Sequence, residues 1–193
     1  TSTQISDLST AQLAALFSAA IAGLDADDIA GLTTAQAAAL TSHQLAAMDT
    51  VQVAAFETAN LAALTTSALR AMSSAHIAAL GTEQLTTFST AQIAALSTQQ
   101  VNGLSETNIA ALTETQAGAF TTTQIAGLSS AAAHAFVASQ IAGMSTTQVR
   151  AFSATQLSAL DATDMTEFTE TQIGALLTTQ ISALSHTNLS ALA

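Results

Sequence analysis

The 193-residue chain is 49% hydrophobic and only 8% charged, with 13 acidic residues, 2 basic ones and a net charge of −11. Arg70 and Arg150 are the whole Lys/Arg complement, which excludes the clustered cations that nucleic acid and anionic membranes demand. The lack of cysteine excludes disulfides, thiolate metal sites and a thiol nucleophile, and is compatible with secretion.

From Thr1 onward the residues repeat every eight: 24 × 8 = 192, with only Ala193 left over and no insertion or deletion. A fixed period marks a solenoid or array, in which each unit buries its apolar face against its neighbours. It overrides the one or two domains that length suggests, and predicts a single octapeptide-repeat solenoid over residues 1–193. With octad positions numbered 1 to 8 from Thr1, position 1 is Ser, Thr or Asp in 19 of 24 octads, and position 4 is Gln in 15. Ser or Thr followed three residues later by Gln is a capping box, in which each side chain accepts the other residue's backbone N–H. Each octad therefore reads as the start of a new helix. Positions 5 and 8 are apolar, as in Leu13 and Leu16, and a gap of three puts both on one helical face. Position 7 is Ala or Gly in most octads, which permits close backbone approach.

One continuous helix is excluded by the spacing. Apolar gaps of 3 and 5 average 4.0 residues per turn, against ~3.6 for an α-helix, so the stripe would drift ~80° per octad. A break in each octad removes the drift. The expected fold is all-α: an α-solenoid of 24 short capped helices, one per octapeptide, held together by lateral stacking. The alternative is a β-solenoid, which the Thr and Ile content favours. Against it, positions 5 and 8 would point to opposite faces of a strand, and only 8 Gly would serve 24 corners.

Taken along the chain, the octads depart from the consensus at few places. Thr1 to Leu8 is an ordinary copy, as is Ser185 to Leu192; neither is a polar capping repeat, so exposed apolar surface is expected at both ends. No signal peptide is visible and Thr1 is in phase with the repeat, so a processed or excised segment is expected. Leu13 to Leu24, the longest near-apolar stretch, contains Ser18 and falls short of the ~18 residues of a membrane span, so no membrane insertion is expected. Phe17, Val137 and Leu177 put apolar groups at the cap position, either as tolerated drift or as contact points for another subunit. Thr at position 2, from Thr10 to Thr98, forms a candidate hydroxyl ladder for ice or sugar.

Acidic pairs occur at Asp25/Asp28, with Asp27 beside them, and at Asp161/Asp164. Both fall on the cap and its partner, where negative charge suits a helix N-terminus; the alternative at Asp25 to Asp28 is a weak Ca²⁺ site, against which hard cations need about six or more oxygen ligands in a tailored loop. His43, His76, His134 and His186 sit at four different octad positions, so a shared metal site is not expected and they read as surface substitutions. No nucleophile motif or phosphate loop occurs, so no catalytic, cofactor-binding or metal residue is assigned and no enzyme is expected. Asn188-Leu189-Ser190 fits the glycosylation pattern, at a frequency close to chance.

The phenylalanines add a second period. Phe56, Phe88, Phe120, Phe136, Phe152 and Phe168 all occupy position 8 of odd-numbered octads. This predicts helices paired into 16-residue units and an even number of octads per coil. Ala117 before Phe120 and Ala133 before Phe136 suggest large-for-small compensation in the core.

The string Leu96-Ser97-Thr98-Gln99-Gln100-Val101 resembles the octapeptide repeats of large bacterial surface or secreted proteins. Octads such as Gly81 to Phe88 and Ser129 to Phe136 depart from that pattern. The resemblance covers the whole chain. It implies an extracellular or cell-surface structural or adhesive role and carries no catalytic residue. The expected function is a stalk or self-assembling filament with itself as partner; the alternative is a binding module, an adhesin segment or an ice- or glycan-binding surface built on Thr/Ser/Gln ladders.

Overall fold

The computed structural model describes residues 5–192. Thr1 and Gln4, the cap pair expected for the first octad, lie outside the described residues. From the second octad to the last, each octad carries one α-helix of four to six residues, and no strand occurs among the described residues. The α-solenoid expectation holds and the β-solenoid alternative does not.

The local cause is the capping box. Ser89 accepts the Gln92 N–H at 3.2 Å, while the Ser89 N–H donates to Gln92 Oε1 at 2.8 Å. Thr33 with Gln36, Ser97 with Gln100 and Ser153 with Gln156 repeat the arrangement. Each helix ends at position 5, 6 or 7, and the chain turns through extended backbone: Leu96 lies at φ −61°, ψ 140° and the cap Ser97 that follows it at φ −73°, ψ 159°. Any L-residue adopts these angles. No described residue has positive φ, so the corners need no glycine. That is why 8 Gly suffice.

The chain packs as two units, Thr1–Gly103 and Leu104–Ala193. Within each unit, a helix rests on the third helix before it and the third after. In the first unit Ser42–Ala47 packs on Ser18–Ala22 and on Thr66–Ala71; in the second, Ser130–His134 packs on Glu106–Ala111 and on Ala154–Ala159. Hydrogen bonds also join position 4 to residues 28 and 31 earlier, such as Gln44 to Leu16 and Leu13. An offset of 28 residues is three and a half octads (28/8), so successive coils are staggered like bricks.

This corrects the expectation of an even number of octads per coil, and the 16-residue pair is not the stacking unit. One pair of the phenylalanine period is in contact. Phe120 and Phe136 meet edge to face, ring centroids 5.7 Å apart. Sixteen residues are just over half of a 28-residue coil (16/28), so such side chains enter the core from facing walls. Edge-to-face pairing suits the quadrupoles of the two rings.

Positions 5 and 8 build the core. Leu45, Leu61, Ile93 and Ile125 at position 5 are fully buried, as are Phe56, Phe120 and Phe152 at position 8 to within a few per cent. Helices this short are unstable alone, and burial against neighbouring coils holds them. No helix among the described residues is long and apolar enough to cross a membrane.

Candidate functional site

Position 4 carries more than a cap. Gln92 is buried: its Oε1 accepts the Ser89 N–H, and its Nε2 donates to the carbonyls of Leu61, Ala62 and Leu64 at 3.1, 3.2 and 3.0 Å. One amide thus satisfies an unpaired N–H at the start of its own helix and unpaired C=O groups at the end of a helix one coil earlier. Gln52 does the same on Ile21 and Leu24, Gln140 on Ile109 and Leu112, and Gln172 on Ile141 and Met144. The shorter Asn60 and Asn188 reach only one carbonyl each, Leu32 and Leu160. The Gln rows are therefore interior fittings and not a surface ladder. Asn188, in the glycosylation triplet, is likewise buried with its amide engaged.

Asp164 occupies the same position with different chemistry. It caps reciprocally with Asp161: the Asp161 N–H donates to Asp164 Oδ2 at 2.8 Å, and the Asp164 N–H to Asp161 Oδ1 at 2.9 Å. A carboxylate has no proton to give to the carbonyls one coil earlier. Instead His134, at the end of helix Ser130–His134, brings Nδ1 to within 2.6 Å of Asp164 Oδ2. The offset of 30 residues is that of Gln92 Nε2 on the Ala62 carbonyl. The donor now comes from the earlier coil and the acceptor from the later one.

The electrostatics follow. The hydrogen bond and charge of Asp164 raise the His134 imidazole above its ordinary range, with smaller help from Asp161 and Glu106. The Asp164 backbone N–H holds Asp161 below the usual carboxylate range. Burial, reinforced by Asp164 and Asp161, pushes Glu167 up, and its Oε2 is buried without a hydrogen-bond partner.

His134, Asp161 and Asp164 place ligand atoms within 4.8 Å of one another, the one such group among the described residues. Three ligands fall short of the shells hard cations take, and the carboxylates already serve as caps. The arrangement works first as a clasp between coils. Asp25 and Asp28, the other acidic pair, form the expected capping box.

The histidines divide. His43 and His186 are exposed, as expected of surface substitutions. His76 is buried, its Nδ1 accepting the Ser73 N–H in place of a glutamine. His134 is half-exposed and engaged with Asp164. Phe17, Val137 and Leu177 make no side-chain cap bond and are exposed, Phe17 at 86%. Of the position-2 threonines from Thr10 to Thr98, Thr10, Thr34, Thr50, Thr66 and Thr90 are exposed, while Thr58, Thr82 and Thr98 are half-buried.

Compared with known families, the stretches 21–57, 53–90 and 77–114 match the ALTTAQ repeat. The octapeptide repeat read from the residues is thus a recognised one over that part of the chain. No curated protein matches the sequence.

Proposed function

We propose that the protein is a structural repeat module, an extracellular stalk or self-assembling filament, whose partner is a further copy of itself. The observation that carries this is the glutamine clamp. It needs nothing from its neighbour except backbone carbonyls at the right register, so any coil of the same sequence, from the same chain or another, is a suitable partner. Two features support it. Exposed apolar groups remain on the surface: Phe17, Val51 and, at a core register position, Leu189. The sparse charge opposes self-association only weakly. Positions 4, 5 and 8 are consumed by stacking, which leaves few convergent polar groups for catalysis.

Negative-stain microscopy and sedimentation across a concentration series test this reading. Particles that lengthen with concentration are expected; short particles of constant length at the highest concentration reject self-assembly. The exposed threonines Thr10, Thr34, Thr50, Thr66 and Thr90 favour a second reading, an ice- or glycan-binding face. Thermal hysteresis and glycan-array binding would support it, and their absence would remove it.

A further inference from the structure

We propose that His134 and Asp164 form a pH-sensitive clasp between consecutive coils of the Leu104–Ala193 unit, standing in for the glutamine clamp used elsewhere. Where position 4 is Gln or Asn, its side-chain amide is a donor at every pH. At this junction the register sets a carboxylate beside the end of helix Ser130–His134, with Ala133 and Phe136 lying 31 and 28 residues before Asp164, the offsets of Leu61 and Leu64 from Gln92. A carboxylate against carbonyl oxygens and a helix C-terminus is repulsive. The His134 imidazolium sits at that helix end and bonds the carboxylate at 2.6 Å, which relieves both.

The groups facing His134 are all acids. Asp164 and Asp161 cap the helix Ala162–Met165, Glu167 follows it, and Glu106 lies on the packed helix Glu106–Ala111. The other packed helix, Ala154–Ala159, carries no titratable side chain. With its pKa raised on folding, His134 contributes stability that is full below the unfolded histidine value and fades as pH rises through the folded one. Glu167, also raised, acts in the same direction, because its buried carboxylate becomes less tolerable as it ionises. Asp161, lowered, adds stability that is lost only as pH falls through its folded value, well below the histidine range. The clasp is therefore tightest in mildly acidic solution and slackens toward alkaline pH.

The test uses Asp164→Gln, which installs the residue the fold already accepts at this position, and so keeps the protein folded. The four histidine ring signals are followed by NMR, and thermal melts are recorded, from about pH 5 to about pH 8, the window in which histidine titrates. In the unaltered protein His134 is expected to titrate above the ordinary histidine value, and Tm to fall as pH rises. In Asp164→Gln the His134 midpoint should drop toward the ordinary histidine value, and the fall in Tm should shrink. His134→Gln should flatten the fall in the same way. A His134 midpoint unmoved by Asp164→Gln, or melts that run parallel in all three proteins, would overturn the proposal.

Discussion

At Gln92, in the Thr1–Gly103 unit, one amide closes the start of its own helix and the end of a helix one coil earlier. At Asp164, in the Leu104–Ala193 unit, the same octad position closes only its own helix, and a side chain from the earlier coil completes the junction. The register is shared, since an offset of 30 residues links both Gln92 to Ala62 and Asp164 to His134. What differs is the direction of donation. A glutamine carries an acceptor and a donor on one buried group and is indifferent to pH. An Asp–His pair divides the two roles between coils and makes the donor titratable. The stacking geometry thus specifies where a donor must be, and not which residue supplies it.

Transplanting the second solution onto the first breaks this comparison most directly. Gln92→Asp removes the donor and buries a charge against the Leu61, Ala62 and Leu64 carbonyls; breaking a buried polar pairing in this way costs about 3–5 kcal/mol. Chemical denaturation near neutral pH should show that loss. Adding Ala62→His, at the offset of His134, should restore about 0.5–3 kcal/mol, the range for directly coupled residues. The recovery should be larger at mildly acidic pH. A double variant no more stable than Gln92→Asp would mean that offset alone does not make a clasp.

A smaller effect is expected at Asn60, which reaches the Leu32 carbonyl at 2.7 Å while its cap residue Glu57 makes no side-chain cap bond. Asn60→Gln lengthens the amide so that it can accept the Glu57 N–H and donate to a second carbonyl. Each net hydrogen bond is worth about 1 kcal/mol, so a gain of about that size is expected in equilibrium unfolding. A loss instead would show that the Asn60 junction has closed around the shorter side chain.

These differences explain what could be read from the residues and what could not. Caps, one short helix per octad and the core positions 5 and 8 were legible because each depends on neighbours within one octad. The second partner of Gln92 was not, because it lies 28 to 31 residues away and no local pattern carries the coil length. The phenylalanine spacing held one long-range message, the Phe120–Phe136 pair that meets in the core, and said nothing of stacking. The His134 cluster was hidden for a related reason. Judged by octad position alone, His134 and Asp164 belong to different rows; only the coil offset joins them. The usable signal was an acid where Gln is the rule, with a donor-bearing side chain 30 residues earlier.

The smallest expected effect on stability separates drift from contact at the apolar cap positions. Phe17 is 86% exposed and makes no cap bond, and Ala20 stands where a capping glutamine would. Ser129 shows what a hydroxyl does in that setting: it accepts the Ala132 N–H at 3.1 Å although its partner position is also alanine. Phe17→Ser should therefore add about 0.5–1 kcal/mol by capping the helix Ser18–Ala22. An unselected phenylalanine would leave self-association unchanged by this substitution. A phenylalanine retained as a contact point has given up that stability for an exposed ring, and its removal should lower the sedimentation coefficient at high concentration even as the melt improves. A more stable protein that associates as before would assign Phe17 to drift.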